Sequence, residues 1–324
     1  MKIDILVCFQ HNFVMPCGVM IKSLLYNNQD SEICIHAIID PDVTDLDIRN
    51  IQTVAEDYNN ECVVKFYKID DDIIDILPPS SNKRFDRSVY YRLFAPSILP
   101  DDIEKVLYLD CDIIVMGSLE PLWDLNFTNA IAAVMNQTQD VSTLNRLGLT
   151  AETDYYNSGV LLISLKYWRT FHVEEQMINY IGTHSSCILN PDQDTINVVL
   201  RGNIVKLPIK YNLQSGFLYK TDYLKIDYLR IKDELDEAIK KPVMIHYTGW
   251  DKPWMKKCYH PFKSNFIYFK NSTPWKSDEQ IDYPFLYKIK KIIKQLLAVF
   301  SLSDFIDYGK LYRYENFRNR HFEH

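Results

Sequence analysis

The chain has little glycine, nine residues in 324, and none of them forms a GxGxxG turn after the first apolar run. That omission argues against the usual dinucleotide-binding turn, where glycines let the backbone close on a pyrophosphate. Cysteine is sparse as well: seven residues, at 8, 17, 34, 62, 111, 187 and 258, with no CxxC spacing. An odd number of scattered cysteines in apolar surroundings reads as the reduced thiols of a cytosolic protein. No uninterrupted apolar stretch approaches the roughly 18 residues of a spanning helix. Asp4 breaks the early apolar run that a secretory signal would need. Lys and Arg, 36 together, are outnumbered by 43 Asp and Glu, and the net charge of −7 speaks against a general nucleic-acid binder. Internal repeats and low-complexity segments are missing too.

What is present suits a packed core: 47% hydrophobic and 13% aromatic residues. Apolar runs at 3–9, 33–39, 63–69 and 105–110 predict strands. Between them, helical spacing covers 12–26, with Val19, Met20, Leu24 and Leu25 on one side, then 44–58 behind a Thr44 N-cap, then 88–97 with Tyr91 and Arg92. Acidic residues and Pro78-Pro79 predict a loop. Strands alternating with helices imply an α/β fold around a mostly parallel sheet, whose ligands bind at strand carboxyl ends. Farther on, Tyr156-Asn157-Ser158-Gly159 reads as a polar turn feeding a buried strand, and residues 190–197 open a helix rich in acids and amides.

The most informative stretch is Leu107-Tyr108-Leu109-Asp110-Cys111-Asp112-Ile113-Ile114-Val115, two carboxylates one residue apart inside an apolar run. Burying two like charges side by side costs several kcal/mol unless something positive joins them. If the run stays extended, residues two apart project to one side, so Asp110 and Asp112 face one point and Cys111 turns into the core. A divalent cation is the simplest partner. Carboxylates suit Mg2+ and Mn2+, and one imidazole shifts the preference toward Mn2+. The segment His246-Tyr247-Thr248-Gly249-Trp250-Asp251-Lys252 offers that imidazole, a close-approach glycine and a fixed cation. Together they suit a diphosphate. Taken singly, the histidine also reads as a satisfied core residue and the acids as a solvated turn or calcium loop.

The C-terminal stretch differs in character. Apolar residues at 285, 286, 289, 292, 293, 296, 297 and 300 form a helical stripe, with Lys288, Lys290, Lys291 and Lys294 on the remaining surface. A tail with Tyr312, Arg313, Tyr314, Phe317, Arg318 and Arg320 follows. Such a helix either packs on its own domain or lies among anionic headgroups.

In their order these segments resemble glycosyltransferase family 8, the retaining sugar transferases that include bacterial lipopolysaccharide galactosyl- and glucosyltransferases and the glycogenins. The likeness runs from about residue 3 to residue 255. It is carried by Asn12 with Lys22-Ser23, Tyr91-Arg92-Leu93, the Asp110-Cys111-Asp112 run, Leu119-Glu120-Pro121-Leu122-Trp123, Tyr156-Asn157-Ser158-Gly159-Val160-Leu161-Leu162, Asp192-Gln193-Asp194, and His246-Tyr247-Thr248-Gly249-Trp250-Asp251-Lys252-Pro253-Trp254. The resemblance implies a GT-A fold, a single Rossmann-like mixed sheet over residues 1–260. The basic and aromatic extension over 261–324 lies beyond it, and its lysine cluster and aromatic-basic tail lead to the expectation that it helps membrane attachment. It implies a UDP-sugar donor, UDP-glucose or UDP-galactose, and Mn2+, with Mg2+ as the alternative, held by Asp110, Asp112 and His246. Gly249 and Lys252 match phosphate-holding positions. Cys8, Gln10 and Asn12 fall where the family grips uridine, and Cys111 is counted with the nucleotide-binding residues. Arg92 matches a position near diphosphate and sugar. Asn157, Ser158 and Gly159, with Asp192 and Gln193, match the donor-sugar pocket.

Two departures stand out. Gln10 replaces an acid frequent in bacterial members, and Asn136 falls where some galactosyltransferases carry an aspartate. The implied catalytic set is Gln193, Asp192 and Lys252, with same-face attack on the sugar, Lys252 stabilising the leaving group and Gln193 the sugar cation. The acceptor is then a glycan or glycolipid, and the location cytoplasmic or on the inner face of the plasma membrane. Three rivals remain at this stage: a haloacid-dehalogenase-type phosphatase with Asp110 as nucleophile and Asp112 as acid/base, a non-catalytic sugar-nucleotide-binding module, and a self-glucosylating primer among whose 22 tyrosines the acceptor would lie.

Overall fold

The computed structural model describes residues 1–57, 62–70, 76, 87–150, 154–218, 228–256, 258, 260–282 and 289. The loop expected at Pro78-Pro79, the striped helix over 285–300 apart from Ile289, and the aromatic-basic tail lie outside the described residues. The strands are β1 (Lys2–Phe9), β2 (Glu32–Ile39), β3 (Cys62–Lys68), β4 (Lys105–Leu109), β5 (Ile113–Val115), β6 (Ile131–Met135), β7 (Tyr156–Ser164), β8 (Ile204–Leu207), β9 (Leu213–Gln214) and β10 (Met244–His246). Seven make one sheet in the order β3-β2-β1-β4-β7-β6-β8, and a small sheet follows in the order β5-β10-β9.

The large sheet is mixed. β1 runs parallel to β2 and β4, β2 to β3, and β6 to β8. β7 alone is inserted the other way, antiparallel to both β4 and β6. Ile3, Ile5, Val7 and Phe9 of β1 face one core and Leu6 faces a second. Covering on both faces is why the central strands read as nearly unbroken apolar runs. β3, at the edge, alternates between part-buried and exposed residues.

Local signals set the flanking helices. Thr44 caps Asp45–Glu56 in a reciprocal capping box with Asp47. The helix Val14–Tyr26 is buried along most of its length and passes under the aromatic residues of the C-terminal segment. At Gly18 an added Cβ would lie 2.2 Å from the Trp275 ring, so only glycine admits that indole. Phe262, Phe266, Phe269 and Trp275 therefore share the core of this helix. Among the described residues no helix is long and apolar enough to cross a membrane.

Three elements differ from the sequence-based expectation. The run through the acid pair does not stay extended: β4 ends at Leu109 and the chain turns through residues 110–112 before β5. The physical reason is a change of partner, since β4 pairs with β7 and β5 with β10. Tyr156 to Gly159 form no turn. They are the first residues of β7, and the N–H groups of Tyr156, Ser158 and Gly159 are satisfied by the side chains of Asn197, Gln193 and Asn157. The segment expected as a helix over 88–97 is a 3-10 helix, Arg87–Phe94, followed by one α-turn, Ala95–Ile98.

His260 ties the C-terminal segment to the site loop. Its ring meets Tyr247 edge to face at 4.6 Å between centroids, and its Nδ1 accepts the Phe262 N–H at 3.2 Å. Burial, aided by the charge of Lys252, pushes its pKa down to about 3. The folded state thus keeps it neutral where the unfolded state, with an ordinary value near 6.5, takes up a proton. Stability from this group is full above about pH 6.5 and declines as pH falls toward 3, by up to about 4–5 kcal/mol. Urea denaturation of His260→Gln should show a shallower loss of stability than the parent across that window; parallel curves would refute the assignment.

Candidate active site

The site is assembled by strand direction. β1 and β4 run parallel, so Cys8, Gln10 and Asn12 at the end of β1 and Asp110 at the end of β4 open on one edge. β7 runs oppositely, so its beginning arrives at that same edge: Leu109 pairs with Val160, and the Asp110 N–H donates to the Gly159 carbonyl at 2.8 Å. The small sheet adds His246 opposite Ile113, and the Tyr247 N–H donates to the Asp112 carbonyl at 3.0 Å.

These pairings bring Asp110, Asp112 and His246 together. His246 Nε2 stands 3.2 Å from Asp112 Oδ1 and 3.5 Å from Asp110 Oδ2. All three ligand atoms lie within 4.8 Å of one another. Two carboxylates and one imidazole fit a hard-to-borderline divalent ion such as Mn2+ or Mg2+. Gly159 makes the convergence possible. A Cβ there would lie 2.2 Å from His246 Cε1 and 2.7 Å from Asp110 Oδ2. Lys252 donates to the Asp112 carboxylate and, at 2.8 Å, to the Tyr247 carbonyl. Burial alone would raise the Asp112 pKa, yet Lys252 and His246 outweigh it and hold this carboxyl well below the usual range. Gly249, in the turn between His246 and Lys252, has φ +86°, a conformation that favours glycine.

Arg92 forms the second half of the site. Its Nη1 lies 3.1 Å from both Asp110 Oδ1 and Asp192 Oδ2 and donates to the Ser158 carbonyl at 3.0 Å. The guanidinium stacks 4.1 Å above the Tyr108 ring, whose hydroxyl donates to Asp110 Oδ1 at 2.6 Å. Burial works against its charge, but Asp192, Tyr108 and Asp110 more than offset this and keep Arg92 protonated. Asp192 responds in the opposite direction: burial raises its pKa despite Arg92. Arg92 Nε and Asp192 Oδ2 are buried without a well-directed hydrogen bond. A pocket bordered by such atoms has unmet polar capacity for a hydroxylated ligand.

Asn157, Ser158 and Gln193 adjoin this pair. Gln193 Oε1 accepts from Asn157 Nδ2 at 3.0 Å and from the Ser158 N–H at 3.3 Å. Asn136 Oδ1 lies 3.4 Å from Asn157 Nδ2. Asp194 is a structural cap: fully buried, it accepts from Arg146, Tyr155 and the N–H groups of Leu189 and Asn190.

Cys8, Gln10 and Asn12 sit on the same edge as the carboxylate cluster, at the end of β1. The Cys111 thiol points inward and donates to the Cys8 carbonyl at 3.5 Å. Two site residues were not legible in the sequence. Tyr108 looked like one more apolar member of its strand, and Asn212, which bonds His246, stands in no recognisable motif.

Gly159→Ala should leave the fold intact while displacing the imidazole, with divalent-ion affinity falling about 10–100-fold. Titration of free Mn2+ by electron paramagnetic resonance measures this, and an unchanged affinity would show that the three groups do not act together.

Comparison with known proteins adds independent support. The model of the glycosyl transferase family 8 matches residues 4–258. A lipopolysaccharide 1,2-glucosyltransferase of Escherichia coli is 30% identical over 297 residues, covering 89% of this chain and 83% of the relative. A lipopolysaccharide 1,3-galactosyltransferase of Salmonella typhimurium is 29% identical, covering 85% and 79%. Among solved structures, the galactosyltransferase LgtC in complex with donor and acceptor sugar analogues superposes with a TM-score of 0.73 at 22% identity, covering 89% of this chain and 100% of LgtC. That likeness shows the fold, GT-A, while the family-matched residues 4–258 take in the acid pair, β7 and the His246–Lys252 loop. The chain belongs to glycosyl transferase family 8.

Proposed function

We propose that the protein transfers a hexose, glucose or galactose, from its UDP conjugate to a glycan or glycolipid acceptor with retention of configuration, using Mn2+ or, as an alternative, Mg2+. The observation that carries this reading is the contact of Arg92 with both Asp110 and Asp192. One buried side chain thereby joins a cluster suited to a metal diphosphate to a pocket suited to a sugar. The relatives' names, lipopolysaccharide glucosyl- and galactosyltransferases, favour a glycolipid acceptor.

Roles follow from the charges. Asp110, Asp112 and His246 would hold the divalent ion, which when bound neutralises the diphosphate and helps it depart. Lys252 sits beside Asp112 and stabilises negative charge as it develops on the leaving group. Asn157, Asp192 and Gln193 match sugar hydroxyls, where a missing partner is costly. Gln193 is a poor nucleophile, because both of its Oε1 hydrogen bonds are made within the protein. That supports attack from the leaving-group face, with the departing phosphate taking the acceptor proton. Cys8, Gln10 and Asn12, on the edge beside the cluster, are placed to meet the nucleoside.

The phosphatase reading fares worse on geometry. Asp110 Oδ1 already accepts from Tyr108 and contacts Arg92, which quenches a nucleophile. Asp112 is held ionised by Lys252 and His246, which suits neither end of an acid/base cycle.

A donor screen should show UDP release from UDP-glucose or UDP-galactose that requires Mn2+ and is lost in Asp110→Asn and His246→Ala. Lys252→Ala should lower kcat by about 10²–10³-fold. Metal-independent release, or turnover of p-nitrophenyl phosphate in its place, would sink the proposal. The lysine-striped segment supports peripheral contact with anionic membrane on the cytoplasmic side. Removing residues after 282 should abolish co-sedimentation with anionic vesicles while UDP release continues; loss of folding would favour a helix packed on the domain.

A further inference from the structure

Five hydrogen bonds cross the site in one direction. The Ser158 N–H points at one Gln193 side-chain atom, and the Gly159 N–H, at 3.0 Å, at one Asn157 side-chain atom. A backbone N–H only donates, so both facing atoms are oxygens. With its oxygen turned to Gly159, Asn157 presents its NH2 to Gln193 Oε1 at 3.0 Å. The same Asn157 oxygen accepts Asn212 Nδ2 at 2.8 Å. Asn212 is thereby left with only its oxygen toward His246 Nδ1, 3.0 Å away. His246 Nδ1 is then the donor to Asn212, and Nε2, facing Asp110 and Asp112, is the nitrogen turned toward the cation position.

This polarity opposes what the local field prefers. Two carboxylates near Nε2 would draw the proton to that nitrogen, and a protonated Nε2 cannot bind a cation. Asn212 is fully buried, so leaving its oxygen or the Nδ1–H unpaired is costly. It is placed by backbone pairing: it directly precedes β9, which lies parallel to β10, with Gln214 opposite His246. No sequence motif marks it.

We propose that Asn212 is a positioning residue that sets the His246 tautomer and links the cation site to the sugar pocket. It transmits hydrogen-bond polarity from the first residues of β7 through Asn157. The proposal rests on reading Asp110, Asp112 and His246 as a divalent-cation site.

The test uses the full chain with Mn2+ alone as probe, free Mn2+ being read by electron paramagnetic resonance. The tautomer of His246 is read from 15N-labelled histidine side chains in the metal-free protein. Asn212→Ala should lose the Nδ1–H form and weaken Mn2+ binding about 10–100-fold. Asn212→Asp keeps an oxygen for the Nδ1–H but gives up the donor to Asn157, so it should retain the Nδ1–H form and bind Mn2+ more tightly than Asn212→Ala. Asn212→Leu restores bulk without an acceptor and should recover neither. Wild-type affinity and tautomer in Asn212→Ala, or recovery by Leu equal to that by Asp, overturns the proposal. Near-UV circular dichroism checks folding; if the alanine variant does not fold, the Asp and Leu pair carries the same comparison. Should the wild type bind no Mn2+, the cation reading fails by itself, and the tautomer spectra still decide the role of Asn212.

Discussion

The structure turns on an unbalanced buried charge. Asp110, Asp112 and Asp192 converge on Arg92 and Lys252, so three carboxylates share two fixed cations, with His246 packed between the first two acids. In a medium of low polarity, one uncompensated charge costs several kcal/mol. The pairings limit the expense but do not remove it. A divalent ion would carry the cluster past neutrality to a net positive charge, which then favours an anionic diphosphate. Donor and metal are therefore expected to bind as one electrostatic unit, each offsetting the excess the other would leave.

That cluster depends on one reversed strand. Were β7 parallel to β4, its first residues would lie at the far edge of the sheet, and Asn157, Ser158 and Gly159 would be a strand length from Asp110. Antiparallel insertion brings them beside it and puts a glycine where the His246 ring needs the space. The same reversal supplies the two backbone N–H groups that orient Gln193 and Asn157. Strand direction thus determines pocket position and pocket polarity together.

Much of this was legible in the sequence, because its signals were local. β1 to β4 announce themselves as apolar runs, Thr44 as a cap, and the acid pair and the His246–Lys252 loop as motifs. What escaped depends on partners far along the chain. An apolar run interrupted by acids does not disclose that its two halves join different sheets. A polar start to a strand looks like a turn until distant side chains, Gln193 and Asn197 among them, satisfy its backbone. Tyr108 reads as core because its ring is core; only the hydroxyl, bonded to Asp110, belongs to the site. Asn212 acquires meaning solely from His246 and Asn157, 34 and 55 residues away.

The turn 110–112 joins the two sheets along the chain, and Gln214 of β9 bonds the Met135 carbonyl of β6 across them, which constrains how the site can move. Asp110 is fixed by the large sheet through Gly159, and His246 by the small one through Ile113. A cation held by both would cross-link the sheets directly above the turn that joins them. Lys252 extends from the same loop as His246 and reaches back to Asp112, so the loop is latched to the turn even before a cation adds its own bonds. His260, edge to face with Tyr247 in that loop, connects the latch to the C-terminal aromatic core around Trp275. Packing remote from the chemistry therefore bears on cation geometry, because the loop that carries the third ligand rests on this aromatic core through Tyr247 and Trp254.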